Sequence, residues 1–246
     1  MSNELKQYAG LSVHFGCDLK TKPHAHHALE VVLALDGLLT VRGEHLLKSE
    51  GVIIRPNALH TISGTGQIIS VFLDPETVLC SELVSMLGAK DIAKLELHVT
   101  KRLITYFDDR TSHHLIESGI YEMLTQTIAS GNMLSSDTGN QIDPRISEVI
   151  KLIKSSPQKT IPFKTLTGIS ELSESRLMHL FKKETGTTIR RFILWIKLQH
   201  AIRLYLLGNS LKKSASLSGF ADAAHFNRVF VSNFGINPSL MLKPAP

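Results

Sequence analysis

From Leu11 to about Pro75 the chain is written in short apolar runs broken by turn residues: ALEVVLALDG, LLTVRGEHLL, GVIIRPNALH and QIISVFLDP. Runs this short, rich in Val, Ile and Leu and punctuated by Gly, Pro and Asp, predict antiparallel β-structure. Near Val78 the period lengthens. LIESGIYEMLTQTI sets its apolar residues three and four apart, which predicts helices from about 78 to 130. Ser130 to Asp143, SGNMLSSDTGNQID, is polar and aperiodic and reads as a linker. From Pro144 onward the chain reads as consecutive helices with short turns. The pattern predicts an α+β protein of two domains. Residues 1–130 form a β region (about 11–75) followed by helices (about 78–130), 131–143 are the linker, and 144–246 form an all-α domain. The longest apolar run, ALEVVLALDGLL, is cut by Glu30 and Asp36, so no membrane span is expected. The start, MSNELKQYAG, lacks the apolar core of a signal peptide.

Two stretches of the C-terminal half share one pattern. SESRLMHLFKKETG (Ser173 to Gly186) and DAAHFNRVFVSNFG (Asp222 to Gly235) each begin with a capping residue, carry a stripe ending in Phe, and close on Gly. Ser173 and Asp222 suit helix N-caps, because their side-chain oxygens accept from free backbone N–H groups. Leu177, Leu180 and Phe181 form one apolar stripe, and Phe226, Val229 and Phe230 form the other. Gly186 and Gly235 are placed to end the helices. The opposite faces carry Ser175, Arg176, Met178, His179 and Lys182 on the first helix, and Ala223, Ala224, His225, Asn227 and Arg228 on the second. Small or hydrogen-bonding residues at a helix start, with a basic residue beyond, suit the DNA major groove, where Arg reads guanine and Asn reads adenine.

FKTLTGISEL leads into the first helix and SLKKSASLSGF into the second, giving two helix-turn-helix units. Between them IRRFILWIKLQHAIRLYLL, apolar at Ile193, Trp195 or Ile196, Leu198, Ala201, Ile202 and Leu206, predicts one long helix. About 17 helical residues span roughly 25 Å. With its end turns, such a rod sets two reading helices about 34 Å apart, one turn of DNA.

Composition sharpens this picture. With 43% apolar and 20% charged residues the chain has the make-up of a globular protein. Cys17 and Cys80 form no motif and read as reduced thiols in a cytosolic protein. The net charge of +5 hides an asymmetry. Up to Asp143, 11 Lys and Arg face 17 Asp and Glu, a net of −6; from Pro144 onward 16 face 5, a net of +11. A single basic helix face is ordinarily just solvated. Two matching copies within a strongly basic half point to a polyanion.

From about Arg145 to Leu242 the chain resembles the DNA-binding domain of the AraC/XylS family of bacterial transcription regulators. LSESRLMHLFKKETG and GFADAAHFNRVFVSNFGINPS match its two helix-turn-helix signatures in spacing and in most residues. The resemblance implies a double helix-turn-helix domain reading two adjacent major grooves from one face of the duplex. Some residues depart from the family pattern. Lys197 stands where Arg is usual. Thr167 and Ser170 replace an Ala and an apolar residue of the first lead-in helix. Ser214 and Ser218 are small polar residues at positions often apolar.

Histidine is concentrated in the other half, nine of the twelve lying before the linker. In PHAHHALEVVLALDG, His24, His26 and Glu30 share one face if the segment is a strand. GVIIRPNALH ends in His60. Three imidazoles and a carboxylate on neighbouring strands suit Zn²⁺, Ni²⁺, Fe²⁺ or Mn²⁺. The spacing His-x-His-x₃-Glu-x₆-Gly, His24 to Gly37, resembles the first motif of the cupin β-barrels. GVIIRPNALH resembles the second, with a shorter Pro-to-His gap than in metal-binding cupins. The resemblance covers about Leu11 to Pro75 and implies a cupin-like antiparallel β-barrel of the kind many AraC-type regulators carry as a sensor. Three roles stay open for the four residues: divalent-metal ligands, the wall of an organic effector pocket, or satisfied core groups. His27 breaks the alternation and is expected to face away. His113 and His114 lie in a helical stretch and are expected at the surface.

The expectation is therefore a bacterial transcription regulator, cytoplasmic and associated with the nucleoid, and not an enzyme. Its partners are double-stranded promoter DNA and a small-molecule or metal effector. The family resemblance adds RNA polymerase and a homodimer, formed through the helices of about 78–130. The only cofactor suggested is a divalent metal in the barrel. The reading from another class is a cupin-type metalloenzyme acting on a small molecule through His24, His26, Glu30 and His60. It leaves the basic half of the chain without a purpose.

Overall fold

The computed structural model of the chain describes residues 4–8, 10–108, 117–130, 142–156 and 161–242. Most of the expected linker, residues 131–141, and His113 and His114 lie outside the described residues. The N-terminal part builds two antiparallel sheets. Six strands are ordered β1-β2-β8-β3-β6-β9: β1 (Glu4–Gln7), β2 (Leu11–Cys17), β3 (Leu29–Ala34), β6 (Gly51–Ile54), β8 (Gln67–Leu73) and β9 (Ile92–Lys94). Three more, β4 (Leu39–Arg42), β5 (Leu46–Ser49) and β7 (Thr61–Ser63), form a smaller sheet in the order β5-β4-β7. The strands run beyond the expected range of 11–75. β1 precedes it, and β9 returns to the sheet edge after α1 (Val78–Leu87). No ladder joins the two sheets among the described residues, so the closed barrel expected from the cupin resemblance is not formed. Two further helices follow, α2 (Leu97–Asp108) and α3 (Glu117–Ser130).

Every residue of β3 is buried, which is why LEVVLA is apolar at every position except Glu30. One face of the large sheet presents Leu11, Val13, Leu29, Val31, Val71 and Leu73 to Leu79 and Leu83 of α1, Phe107 of α2 and Ile120 of α3. The opposite face is covered in two parts. Val32, Val52, Ile54 and Ile68 meet Leu39, Val41 and Ile62 of the small sheet. Leu5, Ala28 and Phe72 instead join the core of the C-terminal helices.

Those helices are α4 (Pro144–Ser155), α5 (Phe163–Ser170), α6 (Glu174–Thr185), α7 (Ile189–Leu206), α8 (Leu211–Leu217), α9 (Ala223–Phe234) and α10 (Pro238–Met241). α7 is the predicted rod, 18 residues long. Its apolar residues are not confined to one stripe, because it packs both against the helix-turn-helix units and against the large sheet. The three serines that depart from the family pattern are fully buried; Ser214 Oγ has no hydrogen-bond partner among the described residues, while the other two are bonded. Ser170 Oγ donates to Leu166 O at 2.8 Å, and Ser218 Oγ lies 3.0 Å from His200 Nδ1. Lys197 Nζ donates to Gly219 O at 3.2 Å and so ties α7 to the turn before α9.

The seam between sheet and helices is polar at its centre. Asp74, at the end of β8, accepts from Trp195 Nε1 at 3.1 Å and from Gln199 Nε2 at 2.8 Å. Lys154 of α4 pairs with Asp74 at 3.8 Å and with Glu76. Burial, with Glu76 beside it, raises the Asp74 carboxyl above its ordinary range. His27 does face away from its neighbours, and its destination is this seam. It is buried against the rings of Phe192 (5.3 Å) and Trp195 (6.3 Å), and burial lowers its pKa to about 4, so it is neutral. Trp195→Phe keeps the ring and removes the donor to a buried carboxylate. It should lower the unfolding free energy by about 1–3 kcal/mol, read as a lower urea midpoint at unchanged slope.

Candidate functional site

The two repeated helices form as their local chemistry dictates. Ser173 accepts from Arg176 N at 3.4 Å and Asp222 from His225 N at 2.6 Å, closing the N-termini of α6 and α9. Gly186 and Gly235 end them in the left-handed region, at φ of 70° and 68°, where a Cβ would be strained. Leu177 and Phe181 of α6, and Phe226, Val229 and Phe230 of α9, are buried, while Leu180 is only partly so. On the outer faces Ser175, Arg176, Met178, His179 and Lys182 are all exposed, as are Ala224, Asn227 and Arg228. Ala223 and His225 are half-buried; the His225 ring leans on Phe220 at 5.3 Å, supporting the turn before α9.

The second constellation lies in the N-terminal part. His24, His26, Glu30 and His60 are all buried, and one ligand-type atom from each lies within 4.8 Å of the others. The route to this cluster differs from the expected shared strand. β3 starts only at Leu29, so His24 and His26 sit in the irregular segment before it. They reach the site because the segment folds back: His24 bridges to His60, and Asn57 N donates to His26 O at 2.8 Å.

The hydrogen bonds fix the imidazoles. His24 Nδ1 lies 2.9 Å from Lys22 O, His26 Nδ1 2.8 Å from Ala28 O, and His60 Nδ1 2.9 Å from Ala58 O. A carbonyl only accepts, so each Nδ1 carries a proton, which leaves Nε2 as the free position of each ring. His26 Nε2 is 3.1 Å from Glu30 Oε2. His60 Nε2 is 3.4 Å from the same oxygen, outside good hydrogen-bond geometry. Burial works to raise the Glu30 carboxyl, but His26 and His60, presenting protonated Nε2 atoms to it, outweigh it and hold it far below the usual carboxylate range. Burial, then the neighbouring His60 and His26, lower His24 to about 3.

One residue beside the cluster escaped the sequence reading. His14 on β2 is paired with Ser70, and the register puts His14, Ser70, Phe72 and Glu30 on one face of the sheet. Its Nε2 is buried without a hydrogen-bond partner among the described residues, and burial lowers its pKa to about 4. With His24, Glu30 and Phe234 it lines a cavity of about 20 Å³. A wider open cleft of about 1080 Å³ lies on the far side of His60, between Arg42, His45, Leu59, Lys90 and Lys94. A lone histidine in LSVHFGC carries no signal of its own; only the strand register brings it to the site.

A helix-turn-helix domain family matches residues 166–243, from α5 through α10. The chain is 22% identical over 246 residues to the HTH-type transcriptional regulator NimR of Escherichia coli, an alignment covering 92% of this chain and 84% of NimR. It is 24% identical over 237 residues to the probable transcriptional regulator LumQ of Photobacterium leiognathi, covering 89% and 92%. The chain thus carries a helix-turn-helix domain and is similar over most of its length to transcription regulators. The chain shares its two-part fold with ToxT from Vibrio cholerae, at a TM-score of 0.61 and 14% identity, over 94% of this chain and 96% of ToxT. Another structure of ToxT holds an unsaturated fatty acid. No helix among the regulator's described residues is long and apolar enough to cross a membrane. Ser173→Ala and Asp222→Ala should each lower stability by about 1 kcal/mol through the lost cap, measured as a drop in thermal midpoint.

Proposed function

We propose that the regulator reads base edges with the exposed faces of α6 and α9, and that a divalent metal ion held by His24, His26, Glu30 and His60 is its effector. The observation that carries the metal reading is that backbone carbonyls hold the three Nδ1 atoms, while one ligand-type atom from each of the four buried residues lies within 4.8 Å of the others. With neutral rings the inward nitrogens and the carboxylate oxygen are all acceptors, an arrangement that a cation among them relieves. At about 2.0–2.1 Å per bond, ligand atoms around one ion sit roughly 3–4 Å apart, which the cluster reaches with a small contraction. Three neutral imidazoles and one carboxylate leave a divalent ion with a single residual charge. Each imidazole already has the carbonyl partner that orients a metal-bound histidine. The adjoining cavity is too small for an organic effector, since about 20 Å³ holds one water. A small organic ligand fits the cleft beyond His60, which Arg42, Lys90 and Lys94 line together with Glu44 and Asp91.

On the DNA side, Arg176 and Arg228 are the base-reading candidates, with Asn227 for adenine and Lys182 for phosphate. The exposed apolar Val78 and Leu97 on α1 and α2 support a homodimer through that region, and contact with RNA polymerase follows from the family. The role of the metal in this reading is to report, in the bacterial cytoplasm, and no turnover is assigned to it.

Two measurements test these assignments. Sites selected from random duplexes by the wild-type chain should lose preference at one or two base pairs with Arg228→Ala, at about 1–3 kcal/mol per lost contact. An unchanged selected motif removes Arg228 from the interface. The metal-free chain should take up one Zn²⁺ or Ni²⁺, and Glu30→Gln should weaken that uptake at least about tenfold. An uptake of zero in the wild type removes the metal.

A further inference from the structure

The histidine cluster and the second reading helix touch. Lys22 N donates to Gly235 O at 2.8 Å and Ala25 N to Ser232 O at 3.4 Å, so the segment that bears His24 and His26 is bonded along the last turn of α9. Lys22 O is also the acceptor that orients His24. A chain of rings runs beside these bonds, from His26 to Phe72 at 5.4 Å and from Phe72 to Phe234 at 5.5 Å. Phe234, Ile236 and Met241 wall the small cavity next to the cluster, so the DNA-binding domain closes the site. The last carbonyls of a helix carry partial negative charge, and α9 turns its own toward the cation ligands. The first reading helix has a lighter tie, from Asn57 Nδ2 to Gly186 O at 3.4 Å.

Gly235 is where the fit is tightest. A Cβ there would lie 2.6 Å from both His24 Nδ1 and Lys22 O, and 2.7 Å from Thr21 Cβ. At Gly186 the nearest atom to such a Cβ is Asn57 Nδ2 at 3.8 Å. The two glycines are otherwise a matched pair, each capping a reading helix at nearly the same φ.

We propose that the Gly235 turn is the contact through which occupancy of the histidine–glutamate cluster governs how α9 is held for DNA. The proposal rests on the metal reading above. Coupling of this kind is reciprocal: if a bound ion favours one placement of α9, displacing the end of α9 weakens the ion. The cluster supplies the ligands and the turn supplies the mechanical link. α6 is the reference against which α9 shifts.

The matched glycines provide the test in the full chain. Gly235→Ala and Gly186→Ala carry the same left-handed strain, and only the first drives a methyl group into the cluster's support. Titrated with Zn²⁺ alone, Gly235→Ala should bind at least about tenfold more weakly than wild type, and Gly186→Ala as wild type does. A second measurement needs no variant to fold. Saturating Zn²⁺ added to the wild-type chain should slow amide hydrogen exchange across residues 231–236, in a domain that supplies no ligand. Equal Zn²⁺ affinity in the two variants, or protection confined to the N-terminal domain, overturns the coupling and leaves the metal reading standing. A wild-type chain that takes up no Zn²⁺ overturns both.

Discussion

A sheet with two apolar faces must have both covered, and this requirement organises the whole molecule. The helices α1–α3 cover one face of the six-stranded sheet. On the other face the three-stranded sheet reaches only Val32, Val52, Ile54 and Ile68. The remainder, with Phe72 at its centre, is covered by α7 and the end of α9. The N-terminal and C-terminal parts therefore share a core, although charge and periodicity divide them cleanly. Burying a Phe contributes about 1.5–3 kcal/mol, so Phe72 and Phe234 alone give the seam appreciable weight against the small net stability of a domain.

The polar groups of the seam obey a stricter rule. A buried carboxylate is tolerated only with donors around it. Asp74 has Trp195, Gln199 and Lys154, all from the C-terminal domain. Glu30 is different, because its neighbours His26 and His60 belong to the same N-terminal part and face it through Nε2 atoms that donate only when protonated. The first arrangement is complete within the protein chain. The second is built only from imidazoles and a carboxylate, the groups that the metal reading would use as ligands.

The parts of this architecture that were legible in the sequence are those with short-range causes. Caps at Ser173 and Asp222, stripes through Phe181 and Phe230 and glycine stops at Gly186 and Gly235 are all settled within a few residues, and the helices begin and end where these signals lie. The four cluster residues were legible as a spacing, but the strand geometry assumed for His24 and His26 was not what joined them. A loop folded back onto His60 did so. His14 and the Asp74–Trp195 pair were invisible because their partners are set by strand register and by packing across more than a hundred residues. Serines at 170 and 218 looked like defects in a lead-in helix; their hydroxyls bond within the domain, so burial costs little.

Trp195 is the sole tryptophan of the chain, and its indole N–H spans the seam to Asp74. The regulator thus carries an intrinsic fluorophore at the joint between its two halves. Parting of that joint would expose the indole to water and shift its emission to the red, whereas unfolding confined to α2 or α8 would leave the signal unchanged. The opening of this molecule can be followed optically without attaching a dye.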